Sequence, residues 1–163
     1  MSRIFTFKND VDTDQILASQ YLLLPNIDEM KGHAFESLSD TFASEVKPGD
    51  LIVAGDNFGC GSSREQAPAV LKALGVQAII AKSFARIFYR NAINIGLPIL
   101  ECEAAAEAIA AGDEVAVDFD TGLITDLTTG ENFQAQPFPP FIQDIIRAGG
   151  LMNSIRQKGG DNK

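Results

Sequence analysis

Hydrophobic and polar positions follow two rhythms along the central part of this chain. Short apolar runs, typical of buried strands, are each followed by a stretch whose apolar residues recur every three or four positions, as in a helix. The predicted strands are 51–54, 76–81 and 97–100, and the predicted helices are about 65–74, 83–94 and 103–111. Each predicted helix ends at or near a glycine, which is a common helix terminator. This alternation predicts an α/β domain.

The segments on either side of this region alternate apolar and polar residues strictly. Residues 3–8 predict a short strand, and residues 114–119 and 123–127 predict a β-hairpin around a turn at 120–122. Residues 132–135 are interpreted as an extension of this hairpin. Because a hairpin pairs antiparallel whereas strand–helix–strand units pair parallel, we expect a mixed central sheet flanked by helices and a hairpin region.

The length of 163 residues, with 45% apolar and 21% charged residues, suits one domain with its own core. We find no repeat or linker, so the whole chain, 1–163, is interpreted as a single domain. Its last helix is predicted over 139–157, with an interruption at the two glycines 149–150. The final residues, 158–163, are predicted to form a frayed polar tail.

The net charge of −9 argues against a nucleic-acid partner, which usually requires a basic surface. No apolar run approaches the roughly 20 residues of a membrane-spanning helix. The first residues also lack the pattern of a secretory signal. We therefore expect a cytoplasmic protein without nucleic-acid or membrane partners.

The metal-binding residues are few. The chain contains two widely spaced cysteines, Cys60 and Cys102, and one histidine, His33. This set predicts neither a disulfide framework nor a metal site held by this chain alone. His33 is predicted to be a surface or loop histidine.

The most distinctive segment is the glycine-rich stretch 55–66 between a predicted strand and a predicted helix. It places Ser62, Ser63 and Arg64 near a helix N-terminus, where anions are readily held. Serines at such a position are typical helix caps. An adjacent guanidinium is suited to holding a carboxylate or phosphate with two parallel hydrogen bonds. The spacing excludes the lysine-containing phosphate loop, the dinucleotide fingerprint and the serine-hydrolase elbow.

Two further segments have two interpretations each. The aspartates of Asp12-Thr13-Asp14 could cap the next short helix through Asx turns or contribute to an active site. The apolar run Tyr21-Leu22-Leu23-Leu24 by itself favours a core segment over a binding surface. It precedes a mostly polar stretch, 26–50, whose weak periodicity is typical of a binding loop.

The segment Gly59-Cys60-Gly61-Ser62-Ser63-Arg64-Glu65 resembles the signature of the swivelling domain of the aconitase superfamily. Four further segments extend this resemblance over essentially the whole chain, to the free-standing small subunits of 3-isopropylmalate dehydratases. They are 12–16, 21–24, 81–91 and 94–98. The resemblance implies a swivelling β/β/α domain.

The resemblance also implies a function. Small subunits of this kind belong to hydro-lyases that interconvert 2- and 3-isopropylmalate by dehydration and rehydration in leucine biosynthesis. They act only with a large subunit that carries a [4Fe-4S] cluster, and they bind no metal themselves. Ser62 matches the base that removes a proton next to a carboxylate, and Ser63 and Arg64 match ligands of substrate carboxylates. We assign Asp12, Thr13, Asp14 and Gly61 to the support of this site.

The resemblance makes residues 21–24 a substrate-specificity loop. Relatives that act on substrates with an additional carboxylate carry an arginine at the position matching Leu23. The loop here, Tyr21, Leu22, Leu23 and Leu24, has no charge, so an additional carboxylate would be left unpaired. We expect isopropylmalate to be accepted and homoaconitate or citrate to be rejected.

Several alternatives stay open at this stage. The chain could serve a homoaconitate, methylmalate or dimethylmalate dehydratase. It could also be a non-catalytic carboxylate-binding or assembly module in which Ser62 only caps a helix. The identity of the large subunit, the stoichiometry and self-association of the unpartnered chain are not determined by the sequence.

Overall fold

A four-stranded parallel sheet forms the centre of the protein. The structure, a computed structural model, describes residues 3–62, 64–136 and 138–150. The strands lie in chain order: β1 (Ile4–Thr6), β2 (Leu51–Ala54), β3 (Ala78–Ala81) and β4 (Ile99–Glu101). The two inner strands, β2 and β3, are buried at every residue, as expected for parallel strands covered on both faces.

The helices after β2, β3 and β4 confirm the predicted strand–helix alternation, and each of these three is shorter than the helix predicted there. The helices of the described residues are α1 (Thr13–Ile16), α2 (Ile27–Met30), α3 (Phe42–Glu45), α4 (Gln66–Ala73), α5 (Arg86–Asn94), α6 (Glu103–Ala108) and α7 (Pro140–Ala148). Two 3-10 helices span Ser19–Leu23 and Lys31–His33. Among the described residues, no helix has the length and apolarity needed to span a membrane.

The predicted hairpin and its extension by a third strand are confirmed. It consists of β5 (Val115–Asp118), β6 (Leu123–Asp126) and β7 (Asn132–Gln134), which pair antiparallel. The α/β class is therefore confirmed, but the two pairing types lie in separate sheets rather than in one mixed central sheet. The outer edge of β1 shows why. The backbone N–H of Gly112 donates to the Ile4 carbonyl there, and an isolated antiparallel bridge joins Arg3 to Glu114. The segment before β5 thus occupies this edge, and β5 itself does not pair with β1.

The polar stretch 26–50 is not the irregular binding loop that its weak periodicity predicts. It contains two short helices and a 3-10 helix, and it contributes the fully buried rings of Phe35 and Phe42 to the core. Phe35 stacks on Phe7 with ring centroids 4.1 Å apart and meets Phe42 edge-on at 4.9 Å. Two aromatic residues thus tie a largely polar sequence to the sheet.

The predicted C-terminal helix is observed only in its first part. The helix predicted over 139–157 is observed as α7, and it ends at Gly149 in the left-handed conformation that favours glycine. The remainder of that helix and the tail 158–163 lie outside the described residues. The assignment of 1–163 to a single domain stays a prediction.

Candidate active site

The candidate site lies where the loops after β1, β2 and β3 meet at the carboxyl edge of the parallel sheet. This edge is where ligands of open α/β sheets usually bind. Backbone hydrogen bonds join the loops. Gly59 N–H donates to the Val11 carbonyl at 2.7 Å, and Phe58 N–H donates to the Ser83 carbonyl at 3.1 Å. The isolated parallel bridge between Asp12 and Cys60 continues the β1–β2 pairing into the loops.

Gly59 fixes the glycine-rich loop against α5. A Cβ atom at this position would lie 2.2 Å from Phe88 Cγ, and the residue has a φ of +85°, which L side chains rarely adopt. Phe88 is buried and meets Phe58 edge-on with ring centroids 5.3 Å apart. The absence of a side chain at Gly59 therefore allows the loop to approach the helix closely.

Thr13 positions the backbone around Ser62. Its buried side chain donates from Oγ1 to the Ser62 carbonyl at 2.9 Å, and its N–H donates to the Cys60 carbonyl at 2.8 Å. The neighbouring Gly61 has a φ of +95°, and the side chains of Asp12 and Thr13 would be its nearest contacts if it carried a Cβ. Ser62 itself is exposed, and its hydroxyl has no hydrogen-bond partner within the described part of the chain.

Ser62 does not cap α4. The helix begins at Gln66, its N-cap is Glu65, and no side chain makes a capping hydrogen bond there. Pro68 in the first turn is consistent with this later start, because proline is well tolerated there. Ser63, which was assigned to carboxylate binding, lies outside the described residues.

The capping predicted for the aspartate cluster is confirmed at α1. Asp12 accepts a hydrogen bond from Gln15 N–H at 2.9 Å, and its own N–H donates to Gln15 Oε1 at 3.0 Å. This reciprocal pair is a capping box. The same segment also reaches the site through Thr13 and Asp14, so its two interpretations do not exclude each other.

Ser83, the first residue of the helix predicted over 83–94, lies outside α5 and does not cap it, because the helix begins at Arg86 with Ala85 as its N-cap. The Ser83 hydroxyl accepts a hydrogen bond from Asn57 N–H at 2.7 Å instead. The serine thus stabilises the turn before the glycine-rich loop, a long-range contact that the local pattern does not encode.

Arg64 is held beside the loop by α1 and the residue that follows it. Its Nη1 donates to Asp14 Oδ1 and to the Leu17 carbonyl, both at 3.0 Å, and its side chain is only 17% exposed. Asp14 Oδ1 also accepts from Ser19 N–H at 3.2 Å. The hydrogen bond from Arg64 holds the pKa of Asp14 below its ordinary value. With the described residues, Arg64 makes hydrogen bonds only through Nη1, which leaves Nη2 and Nε free to bind an anion.

The preference for a core role of residues 21–24 holds for three of the four. Tyr21, Leu22 and Leu24 are half-buried and pack against the core, whereas Leu23 is 89% exposed. The reason is the 3-10 conformation of Ser19–Leu23, which turns Leu23 outward between two inward-facing leucines.

Sequence reasoning missed a cluster next to this apolar segment. The rings of Tyr21 and His33 stack with centroids 3.8 Å apart and an interplanar angle of 8°. The Glu36 carboxylate accepts from the Tyr21 hydroxyl at 2.7 Å and lies 2.6 Å from His33 Nδ1. His33 does lie in a short helical turn at the surface, as predicted. No local spacing could have indicated its contact with Tyr21, twelve residues earlier.

The electrostatics of this cluster follow from the shared carboxylate. The hydrogen bond to Glu36 raises the pKa of Tyr21, because ionised tyrosine could no longer donate to a negative group. The Tyr21 hydroxyl and then His33 lower the pKa of Glu36. Glu36 is thus held as a carboxylate with both oxygens engaged.

The donor set of this chain does not fit an iron–sulfur cluster. Within the described ranges, no group of three or more His, Cys, Asp or Glu side chains lies close enough to hold a metal ion. The two cysteines are free thiols. Burial, followed by the charges of Asp12 and Asp10, raises the pKa of Cys60 and disfavours the thiolate that a metal requires.

Comparisons with known proteins agree with this geometry. The aconitase C-terminal domain family matches residues 9–105. The chain is 57% identical to the 2,3-dimethylmalate dehydratase small subunit of Eubacterium barkeri, over 93% of each chain. It is 53% identical to the 3-isopropylmalate dehydratase small subunit of Clostridioides difficile, over 96% of each chain. A solved structure of 3-isopropylmalate dehydratase from Methanocaldococcus jannaschii superposes with a TM-score of 0.93 at 40% identity, covering 99% of this chain and 95% of that one.

Proposed function

This chain belongs to the aconitase C-terminal domain family as a dehydratase small subunit, and we propose that it serves a hydro-lyase interconverting 2- and 3-isopropylmalate. In the first half-reaction, a proton leaves the carbon next to a carboxylate, the hydroxyl leaves the adjacent carbon, and a double bond forms. Water is then added in the opposite orientation. The setting that this reaction implies is leucine biosynthesis.

Substrate binding is assigned to Arg64. The observation that carries the proposal is its arrangement: Nη1 is fixed by Asp14 and Leu17, while Nη2 and Nε make no hydrogen bond with the described residues, two positions along the chain from Ser62. A guanidinium oriented in this way can bind a carboxylate with two parallel hydrogen bonds. Ser63, by its position between Ser62 and Arg64, is proposed as a second ligand of the substrate carboxylates.

Proton removal is assigned to Ser62. Its hydroxyl is exposed and does not cap α4, while Thr13 fixes its backbone. A serine removes a proton from carbon only as an alkoxide, whose formation in water is unfavourable. Positive charge from Arg64 and exclusion of water would lower that cost.

The site requires a partner because Ser62 and Leu23 are exposed in this chain. We propose that a large subunit covers both residues and excludes water from the substrate. The departing hydroxyl also needs a Lewis acid. Since the donor set here does not fit a cluster, that group is assigned to the large subunit, as a [4Fe-4S] centre.

Substrate choice is assigned to the apolar loop. Leu23, placed to contact the substrate only in the complex, favours an apolar branch such as isopropyl over an additional carboxylate. Dimethylmalate is the second candidate substrate, because the Eubacterium barkeri relative is 57% identical while a 3-isopropylmalate dehydratase small subunit from Moorella thermoacetica is 56% identical. Both substrates are malates with apolar substituents, which differ only in their size and placement, so similar overall identities to the two kinds of relative leave both as candidates.

A substrate panel tests this proposal. The chain is co-expressed with a large subunit of an isopropylmalate dehydratase, the cluster is rebuilt without oxygen, and the absorbance of the unsaturated intermediate is followed. We expect isopropylmalate to be turned over well ahead of dimethylmalate and homoaconitate, and the small chain alone to be inactive. Preference for dimethylmalate would favour the second candidate, and activity of the chain alone would contradict the divided site.

A further inference from the structure

One carboxylate joins two segments that are separate in sequence. Glu36 binds the Tyr21 hydroxyl through Oε1 at 2.7 Å and His33 Nδ1 through Oε2 at 2.6 Å. The two rings so held are stacked 3.8 Å apart. We refer to Tyr21, His33 and Glu36 as the clamp. Each member restricts the other two, because both carboxylate oxygens of Glu36 have a partner and the two rings stack on each other.

The clamp is anchored in the core through Phe35. This residue is fully buried, has a φ of +58°, and donates its N–H to the Ile16 carbonyl at 2.9 Å. A buried aromatic side chain in the left-handed region is uncommon and persists only where packing determines it. Glu36 follows directly, and its N–H donates to the His33 carbonyl at 3.2 Å. The buried Phe35 therefore fixes the position of Glu36 and, through the backbone hydrogen bond, that of His33, and these two residues hold Tyr21.

The clamp holds the segment that carries Leu23. Tyr21 lies in the middle of the 3-10 helix Ser19–Leu23, and its carbonyl accepts from Leu24 N–H at 3.1 Å. At the start of the helix, Ser19 N–H donates to Asp14, the carboxylate that also binds Arg64. Leu23 has little packing of its own at 89% exposure. Its orientation is determined by these two attachments.

We propose that Glu36 and His33 are positioning residues for substrate selection, which act on the substrate through Tyr21 and Leu23. The inference rests on the proposed function of the apolar loop. By fixing the 3-10 helix, the clamp keeps Leu23 in the one orientation that presents an apolar surface to the branch of the malate. Without the clamp, the segment samples other orientations, and discrimination between branches of different size falls.

The test compares selectivity in the reconstituted complex. Tyr21→Phe removes one oxygen atom and keeps the stacked ring, whereas Glu36→Ala removes both hydrogen bonds. Asp28→Ala is the matched control, because it removes an exposed carboxylate from the same region, whose ion pair among the described residues is with Lys31. The readout is the ratio of kcat/KM for isopropylmalate to kcat/KM for methylmalate.

We expect Tyr21→Phe to lower this ratio roughly threefold to tenfold, the range of one net hydrogen bond, and Glu36→Ala, which removes two, to lower it at least as much. The control should leave it unchanged. Turnover with wild-type selectivity in Tyr21→Phe and Glu36→Ala overturns the inference and leaves the proposed function intact. A wild-type complex that turns over no malate refutes the proposed function, and this inference with it.

A titration tests the clamp independently of activity. The chain has two tyrosines, so Tyr89→Phe leaves Tyr21 as the only phenol observed by ultraviolet absorbance. Its pKa should lie above the ordinary value, because the hydrogen bond to Glu36 opposes ionisation. Adding Glu36→Ala should lower it to the ordinary value, and adding Asp28→Ala should not. An ordinary pKa in the Tyr89→Phe chain would contradict the clamp in solution.

Discussion

The close approach of the glycine-rich loop to α5 makes Gly59 the position where one methyl group should cost most. In Gly59→Ala, the new Cβ would lie 2.2 Å from Cγ and 2.6 Å from Cδ2 of Phe88, at a backbone φ of +85°. The ring cannot move away easily, because Phe88 is buried and packs edge-on against Phe58 and parallel to Phe84.

Two costs add at this position. A left-handed backbone conformation costs an alanine about 1–2 kcal/mol, and overpacking a closely packed core costs typically about 1–3 kcal/mol. We therefore expect Gly59→Ala to lower the free energy of unfolding by about 2–5 kcal/mol. Gly112→Ala is the matched control. Its φ is +86°, and nothing lies within 4 Å of its added Cβ, so only the backbone cost applies.

Urea unfolding of the isolated chain measures both variants. The entropy that alanine removes from the unfolded chain is common to the two and cancels in the comparison. Gly59→Ala should therefore be the less stable by about 1–3 kcal/mol, the overpacking cost alone. Equal stability of the two variants would refute the close packing of the loop on Phe88.

Two further predictions concern the site. Asp14→Asn should destabilise the chain at neutral pH, because the contact of Asp14 with Arg64 lowers the pKa of this carboxyl. A lowered pKa stabilises the fold above the ordinary value of 3.8 and loses this effect as the pH falls through the lowered value. The difference in urea midpoint between wild type and variant should thus be constant well above pH 3.8 and shrink as the pH falls below it; a constant difference throughout would argue against the ion pair. Leu23→Arg should shift the kcat/KM ratio toward homoaconitate by about tenfold to a hundredfold, the value of a charge-assisted hydrogen bond. Its urea midpoint should stay at the wild-type value because the side chain is exposed, and an unchanged ratio would remove Leu23 from substrate selection.

The sequence predicted those parts of the fold that depend on local patterns. The apolar runs at β2 and β3, the hairpin at β5 and β6 and the capping of α1 by Asp12 follow from periodicity and short-range hydrogen bonds. The glycine-rich loop was identifiable because its composition suits a strand-to-helix turn. The resemblance of this loop to the family signature supplied the roles of Ser62, Ser63 and Arg64, which the residue types alone left open.

The missed features depend on contacts between distant residues. The Ser83 hydroxyl binds Asn57 rather than the helix after it, and Glu36 binds Tyr21, fifteen positions earlier. Separation of the two sheets depends on which segment occupies the edge of β1, and no strand pattern encodes that choice. The exposure of Leu23 also depends on structure beyond the local pattern. An apolar side chain by itself predicts burial, and the 3-10 conformation that turns Leu23 outward is not evident from the sequence.

Ser62→Ala in the reconstituted complex tests the central claim most directly. The hydroxyl makes no hydrogen bond with the described residues and caps no helix, so its loss should leave folding and assembly with the large subunit unchanged. We expect kcat for isopropylmalate to fall by about a hundredfold to ten-thousandfold, the contribution of a general base. Ser44→Ala, at another exposed serine, is the control and should retain full activity. An assembled Ser62→Ala complex that turns over isopropylmalate at the wild-type rate would contradict the assignment of Ser62 as the base.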